Sequence, residues 1–283
     1  MKTLLVIGVG LVVAAASLRA ATTIDATNRY AYAANLGWVD GVADTANGAV
    51  VGEYGCSGYL YSANVGWINL GNGSPANQIQ YQNNSATDFG VNQDGLGNLR
   101  GYAWGANIGW VAFENTGAPK VDLFTGKMSG SIWSANCGWI SLSNAVAYVQ
   151  TDSIRQSPLA PNGLPIAWLL QNFGTTNVNP NADPTGKGMT IGQDYWAGTD
   201  PHNTNSVLKI TFLSRGSTPD YTILDWDAVP TRYYAIQTRP SFSTGAWADA
   251  IALDIPGWNN AGFFDYDSTN EFYRIRVYRP LLH

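Results

Sequence analysis

Trp133-Ser134-Ala135-Asn136-Cys137-Gly138-Trp139-Ile140 is the last of four segments built on one pattern. The others are Tyr32-Ala33-Ala34-Asn35-Leu36-Gly37-Trp38-Val39, Tyr61-Ser62-Ala63-Asn64-Val65-Gly66-Trp67-Ile68 and Trp104-Gly105-Ala106-Asn107-Ile108-Gly109-Trp110-Val111. The tryptophan after each glycine falls at 38, 67, 110 and 139, so the spacings are 29, 43 and 29, and the second pair is the first displaced by 72. A recurrence of this length marks a repeat architecture. Here it is a duplicated two-repeat unit.

Each copy reads as a hairpin. A short strand of alternating aromatic and small residues, such as Tyr59-Leu60-Tyr61, enters Ser-Ala-Asn-x-Gly, and a second strand, such as Trp67-Ile68-Asn69-Leu70, leaves it. Asn and Gly tolerate the positive φ that tight reversals need, which places the turn at Asn-x-Gly. The stretch Val121–Met128 predicts a further strand and turn, making the unit a β-meander of about three strands. One hairpin is marginal in water, so the copies must pack into a single sheet system.

Strand alternation separates two faces. Ile68 and Leu70, Val111 and Phe113, and Ile140 and Leu142 share one face of the outgoing strands, and Leu60, Ala103 and Ile132 continue it on the incoming ones. That face is core. Trp67, Trp110 and Trp139 share the other face with Asn69, Ala112 and Ser141, opposite Tyr61, Trp104 and Trp133. Two arrangements account for this aromatic face. Either the rings lie over their own turns or stack across strands as a second core, or they stand in water and stack on the pyranose rings of a sugar polymer. In the second case Asn or Asp side chains would hold the hydroxyls. Aromatics fixed at identical repeat positions are usually structural.

Before the repeats, Lys2, the apolar run Leu4–Ala16 and the small residues Ser17, Ala20 and Ala21 read as a secretory signal peptide over 1–21. The run is shorter than the ~20 residues of a membrane-spanning helix, and no later stretch predicts a span. Removing Lys2 and Arg19 takes the net charge from −5 to −7, which argues against nucleic acid or an anionic membrane as partner. Export permits a disulfide between Cys56 and Cys137. The repeat alignment favours two buried thiols acting as small hydrophobes.

From Asp152 to Pro201 the texture turns to Pro, Asn, Gly and Thr, with two short helices expected over 164–173 and from about Thr190 to Trp196. Gly163-Leu164-Pro165 with Trp168, then Asn181–Thr190 leading to Tyr195-Trp196-Ala197-Gly198-Thr199-Asp200-Pro201, resemble the two-loop calcium segment of thrombospondin type 3-like or dockerin-like modules. Such modules occur in exported proteins of Verrucomicrobia-like bacteria, and the repeats are similar to the tryptophan-rich repeats of those proteins, for which no function is generally assigned. The resemblance implies calcium ligands at loop positions 1, 3, 5, 9 and 12. Counted from Asp183, these fall on Asp183, Thr185, Lys187, Ile191 and Asp194, and in the first loop Pro158, Ala160 and Asn162 stand where acids belong. A lysine is the wrong charge and Ile191 offers no oxygen, so no metal is expected. Residues 206–278 contain four runs rich in β-branched and aromatic residues, Val207–Phe212, Tyr221–Trp226, Tyr233–Thr238 and Phe272–Val277, and read as a small β-sandwich. It resembles a fibronectin type III-like module, which implies a spacer or adhesive role.

Chemistry is sparse. His202 and His283 have no His or Cys at ligand spacing, and no nucleophile–base or phosphate-binding motif occurs. Two acids about 5–10 Å apart would suffice for glycoside hydrolysis. The acids available are Glu53, Glu114, Glu271, Asp88, Asp94 and Asp122, with Glu114 or Asp122 facing another carboxylate as the arrangement to find. Asn92–Asn98 holds an Asp-Gly that is first a turn signal. The expected protein is mostly β: a signal peptide (1–21), a Trp-rich hairpin-repeat domain (22–150), a short helical linker (151–203) and a C-terminal β-sandwich (204–283). Its expected role is non-catalytic and needs no cofactor: surface or matrix adhesion or assembly, with another surface protein or a polysaccharide as partner. The alternative role is carbohydrate binding through Trp38, Tyr61, Trp67, Trp104, Trp110, Trp133 and Trp139; a carboxylate hydrolase stands third.

Overall fold

A computed structural model describes residues 22–217, 220–241, 246–250, 254–257, 261–266 and 272–282. The signal-peptide reading, Glu271 and His283 fall outside these residues. The fold is mostly β. Its first part contains β1 (Ile24–Ala33), β2 (Gly37–Asp40), β3 (Ser57–Ser62), β4 (Gly66–Asn72), β5 (Val91–Gln93), β6 (Leu99–Gly105), β7 (Gly109–Phe113), β8 (Lys120–Val121), β9 (Met128–Ser129), β10 (Ser131–Ser134), β11 (Gly138–Ser141) and β12 (Val149–Thr151).

The four repeats are the hairpins β1–β2, β3–β4, β6–β7 and β10–β11, and they follow one another around a single antiparallel sheet. The last strand returns to the first through the Tyr32–Ser141 pairing of β1 and β11. The sheet therefore closes into an eight-stranded up-and-down barrel, which leaves no exposed edge. The expected single sheet system is this barrel, and the repeat unit is a two-stranded hairpin. The extra strand read at Val121–Met128 forms the short pair β8–β9, which is bridged to Asn98 through Lys120 and to Gln150 through Lys127, with Val121 and Met128 in the core cluster.

Each reversal has one geometry. The amide of Leu36 bonds the carbonyl of Ala33 (3.2 Å), and Ile108–Gly105, Val65–Ser62 and Cys137–Ser134 repeat the contact at 3.2–3.3 Å. The next residue, Gly37, Gly66, Gly109 or Gly138, takes φ between 70° and 79°, a conformation that costs any residue with a Cβ. Side chains then alternate as expected. Ala31, Val39, Ile68, Leu70, Ala103, Val111, Phe113, Ile132, Ile140 and Leu142 are buried in one cluster inside the barrel, with Leu60 packed against it. Leu36, Val65, Ile108 and Cys137, the variable residues of the four turns, pack into the same cluster, so the turn end of the barrel is plugged.

Cys137 thus occupies an apolar repeat position, and both cysteines are buried free thiols. Burial pushes the Cys56 thiol up to about 12.

The turns are tied in a ring. The Asn64 carboxamide donates to the carbonyl of Leu36 (2.9 Å), Asn107 to Val65 (3.0 Å), Asn136 to Ile108 (3.1 Å), and Asn35 to Cys137 (3.3 Å). Each repeat holds the one before it, and the first holds the last. The duplicated pair survives inside this four-fold ring. Ser62 and Ser134 add hydroxyl bonds to the Leu36 and Ile108 carbonyls, where the other two repeats carry Ala33 and Gly105. A Cβ on Gly105 would come within 2.7 Å of the Ile108 side chain.

The linker contains α1 (Ile166–Phe173) and α2 (Ile191–Ala197). Both stop at a left-handed glycine, Gly174 or Gly198, and α2 opens with a capping box formed by Thr190 and Gln193. Neither helix is long and apolar enough to cross a membrane. The C-terminal part has β13 (Ile210–Ser217), β14 (Asp220–Trp226), β15 (Tyr233–Arg239), β16 (Ala248–Asp249), β17 (Ile255–Pro256), β18 (Ala261–Asp265) and β19 (Phe272–Tyr278). One sheet runs β13-β14-β18; the other gathers β16, β17 and β19 on β15. Leu224 and Trp226 of the first pack with Tyr234 and Ile236 of the second.

Candidate functional site

The core face points into the barrel, so the aromatic face must point out. Trp38, Trp67, Trp110 and Trp139 are 47%, 45%, 46% and 46% exposed. Tyr32, Trp104 and Trp133 are each 40% exposed, while Tyr61 is partly buried. These rings form no second core. The near-equality of the four tryptophans comes from the repeated hairpin geometry.

Within each hairpin the two aromatics sit directly opposite across the strands: Tyr32–Trp38, Tyr61–Trp67, Trp104–Trp110 and Trp133–Trp139. Their centroids lie 5.0, 4.6, 4.7 and 5.1 Å apart, edge-on or tilted. Such pairs add about 0.5–1.5 kcal/mol beyond burial and hold each ring in place. The packing expected across strands is therefore present, and it leaves one side of the rings in water. Because the strands wrap around a barrel, the pairs form a girdle of four clusters near the turn end instead of a single flat row.

Tyr30, Tyr59 and Tyr102 join Trp38, Trp67 and Trp110 at 6.0–6.2 Å. They stand two residues before the incoming aromatic, so period-two alternation places them on the same face; Ser131 takes this position in the fourth repeat. Phe89, 5.3 Å from Trp110, belongs to no repeat, and nothing in the pattern points to it. Between hairpins, the incoming aromatics Tyr32, Tyr61, Trp104 and Trp133 pair with Ser141, Asp40, Asn69 and Ala112 of the preceding outgoing strand. The four repeat asparagines, in contrast, direct their amide nitrogens to neighbouring turns. Sugar hydroxyls would have to be met by other groups.

The carboxylates have local duties. Asp122 accepts the amides of Phe124 (2.8 Å) and Thr125 (3.0 Å), and Asp94 those of Leu96 and Asn98. Asp88 is buried and takes the amides of Ala76 and Gln82, both at 3.2 Å. Glu114 is exposed on the loop after β7. Carboxyl neighbours occur elsewhere. Burial and then Asp25 raise Asp152 above its usual range, while burial and then Asp249 raise Asp254 despite nearby Arg276. Glu53 is fully buried between the barrel and the rest of the chain. It pairs with the Arg279 guanidinium and accepts the Tyr195 hydroxyl (2.9 Å) and the Ser157 amide (3.2 Å).

In the calcium-like loop, Asp183 accepts the amides of Lys187 (3.2 Å) and Gly188 (2.7 Å). The Lys187 ammonium then lies 2.8 Å from Asp194 Oδ1, 2.6 Å from the Asp200 carbonyl and 3.0 Å from that of Ser206. Both charged side chains are buried. The lysine sits inside an oxygen cage and supplies the positive charge there. Among the described residues, no three His, Cys, Asp or Glu side chains group as metal ligands. His202 bonds the Asn172 carbonyl (2.8 Å) and leans on Phe173.

Compared with protein-family models, curated proteins and solved structures, the chain matches none.

Proposed function

We propose that this is an exported, non-catalytic surface or matrix protein that adheres to neutral polysaccharide through the aromatic girdle of its barrel. The observation that carries the reading is that four tryptophans, each braced by a neighbouring ring, keep nearly half their surface in water around a barrel whose core is complete without them. Soluble proteins rarely expose large rings in a repeated array unless something covers them. An aromatic face held rigid loses little entropy when a flat apolar partner lands on it, and the C–H-lined face of a pyranose is such a partner. The net charge of −5, which becomes −7 without Lys2 and Arg19, disfavours anionic polymers. Export rests on the leader-like residues 1–21, and a spacer role for the C-terminal part on the resemblance of the sequence of residues 206–278 to fibronectin type III-like modules.

The test is retention of the intact protein on insoluble cellulose, chitin, xylan, mannan, β-1,3-glucan and starch, with bovine serum albumin as reference. Retention on at least one of them, weakened when Trp38, Trp67, Trp110 and Trp139 are all changed to Ala, is expected. Retention on none, or retention untouched by the four changes, rejects the reading.

A further inference from the structure

The four ring clusters are alike in exposure but not in surroundings. The interval between Trp67 and Trp110 is 14 residues longer than the other two, and the added length is used between β4 and β5. Residues 73–90 fold back toward the third hairpin, where Asn83, Asn84, Ser85 and Ala86 face Phe89, Tyr102 and Trp110 across an open cleft of about 470 Å³. That volume lies within the range of small-molecule sites, about 300–1,000 Å³. One wall is three aromatic rings, Trp110 with Phe89 at 5.3 Å and Tyr102 at 6.0 Å. The other is carboxamide and hydroxyl.

The polar wall is fixed in advance. Tyr81 anchors the loop: its buried ring meets the backbone at Gly71 and Gly90, and its hydroxyl bonds the Cys56 carbonyl (3.0 Å) and the Gly73 amide (2.6 Å). Buried Asp88 gathers the Ala76 and Gln82 amides, and Asn83 Oδ1 holds the Gly90 amide (3.0 Å). Asn83 itself sits at φ 56°, the left-handed conformation that Asn tolerates in turns. Beyond it the Asn84 side chain is exposed and makes no hydrogen bond among the described residues. The cleft lining contains no carboxylate, lysine, arginine or histidine.

We infer that this cleft is the primary subsite of the girdle and takes one end or one internal stretch of a neutral glycan chain. A pyranose stacks on Trp110, and its hydroxyls meet Asn84 and Ser85. The other three clusters serve as secondary contacts. This inference rests on the glycan reading above.

The test uses the intact protein and, from the same six polysaccharides, the one that retains it best. Trp110→Ala and Asn84→Ala are compared with Trp38→Ala, each checked by thermal melting, since all three side chains are exposed and the fold should survive. Loss of about tenfold or more in retention for Trp110→Ala, a size usual for a central aromatic anchor, a clear loss for Asn84→Ala and less than about threefold for Trp38→Ala are expected. Equal losses for Trp110→Ala and Trp38→Ala, or no loss for Asn84→Ala, overturn the primary subsite while leaving the girdle reading intact. Wild-type retention on no polysaccharide overturns both.

Discussion

Lys187 is a buried cation held among oxygen atoms. Its ammonium is enclosed by Asp194 and two close carbonyls, and both ionic partners are buried. A buried pair adds little net stability when intact, yet removing one partner strands the other. Lys187→Met is therefore expected to destabilise the protein by about 3–5 kcal/mol, read in a denaturant melt. Lys187→Met combined with Asp194→Asn should recover much of that loss, because the stranded charge is gone. An additive double variant would contradict this account. That a lysine lies between Asp183 and Asp194 was legible in the sequence. That it fills the loop was not, because two of its partners are backbone carbonyls 13 and 19 residues downstream, and a carbonyl carries no sequence signature.

The hairpin is the element on which the barrel is built, and its two faces are legible in the order of residues alone. Alternation sets Ile140 against Trp139, and the Asn-x-Gly turn falls where the chain reverses. What that order does not carry is the partner of each asparagine, which lies in the neighbouring repeat, or the curving of the outer rings around a closed surface. The ring of bonds makes a specific prediction. Asn64→Ala should cost about 0.5–1.5 kcal/mol, the usual net worth of a hydrogen bond. Asn35→Ala should cost as much, since its bond reaches the last repeat. In an open sheet the first repeat would have nothing to hold, so a harmless Asn35→Ala beside a costly Asn64→Ala, measured by thermal melting, would refute closure. The Phe89 contact with Trp110 was invisible for a different reason: it comes from an irregular loop, whose path no periodicity describes.

The parts of the molecule are joined by ionic and aromatic contacts around Glu53. Arg279 reaches it from beyond β19 and Tyr195 from α2, while buried Arg232 donates to the carbonyls of Trp196 (2.7 Å) and Tyr195 (3.1 Å). Arg279→Met would leave the Glu53 charge buried without a cation, at a cost of about 3–5 kcal/mol, and a proteolysis pattern releasing the C-terminal part is the expected sign. Alkaline pH should act on the same region. Burial, and then Glu53, push the Tyr195 hydroxyl up to about 12 from an ordinary 10.0, and burial does the same to Tyr81. A pKa raised in the folded state stabilises fully below the unfolded value and is lost as pH climbs to the folded one. Both contributions therefore disappear between pH 10 and 12, and that of Cys56 from 9.0 to about 12. Arg232, lowered to about 10 by burial and then by Arg279, works the other way above pH 10. Melting temperature should decline across pH 9–12, and a flat profile would show that these groups are open to solvent in the folded chain.

Closure also limits how this gene could have grown. A solenoid gains a repeat by adding one to its end, because each unit touches only its neighbours. Here the first hairpin is already the neighbour of the fourth. A further copied pair would force a wider cylinder, whose lumen Leu36, Val65, Ile108 and Cys137 could not fill. A fifth hairpin therefore has no place in this ring, whereas added length fits in loops such as 73–90 that lie outside it.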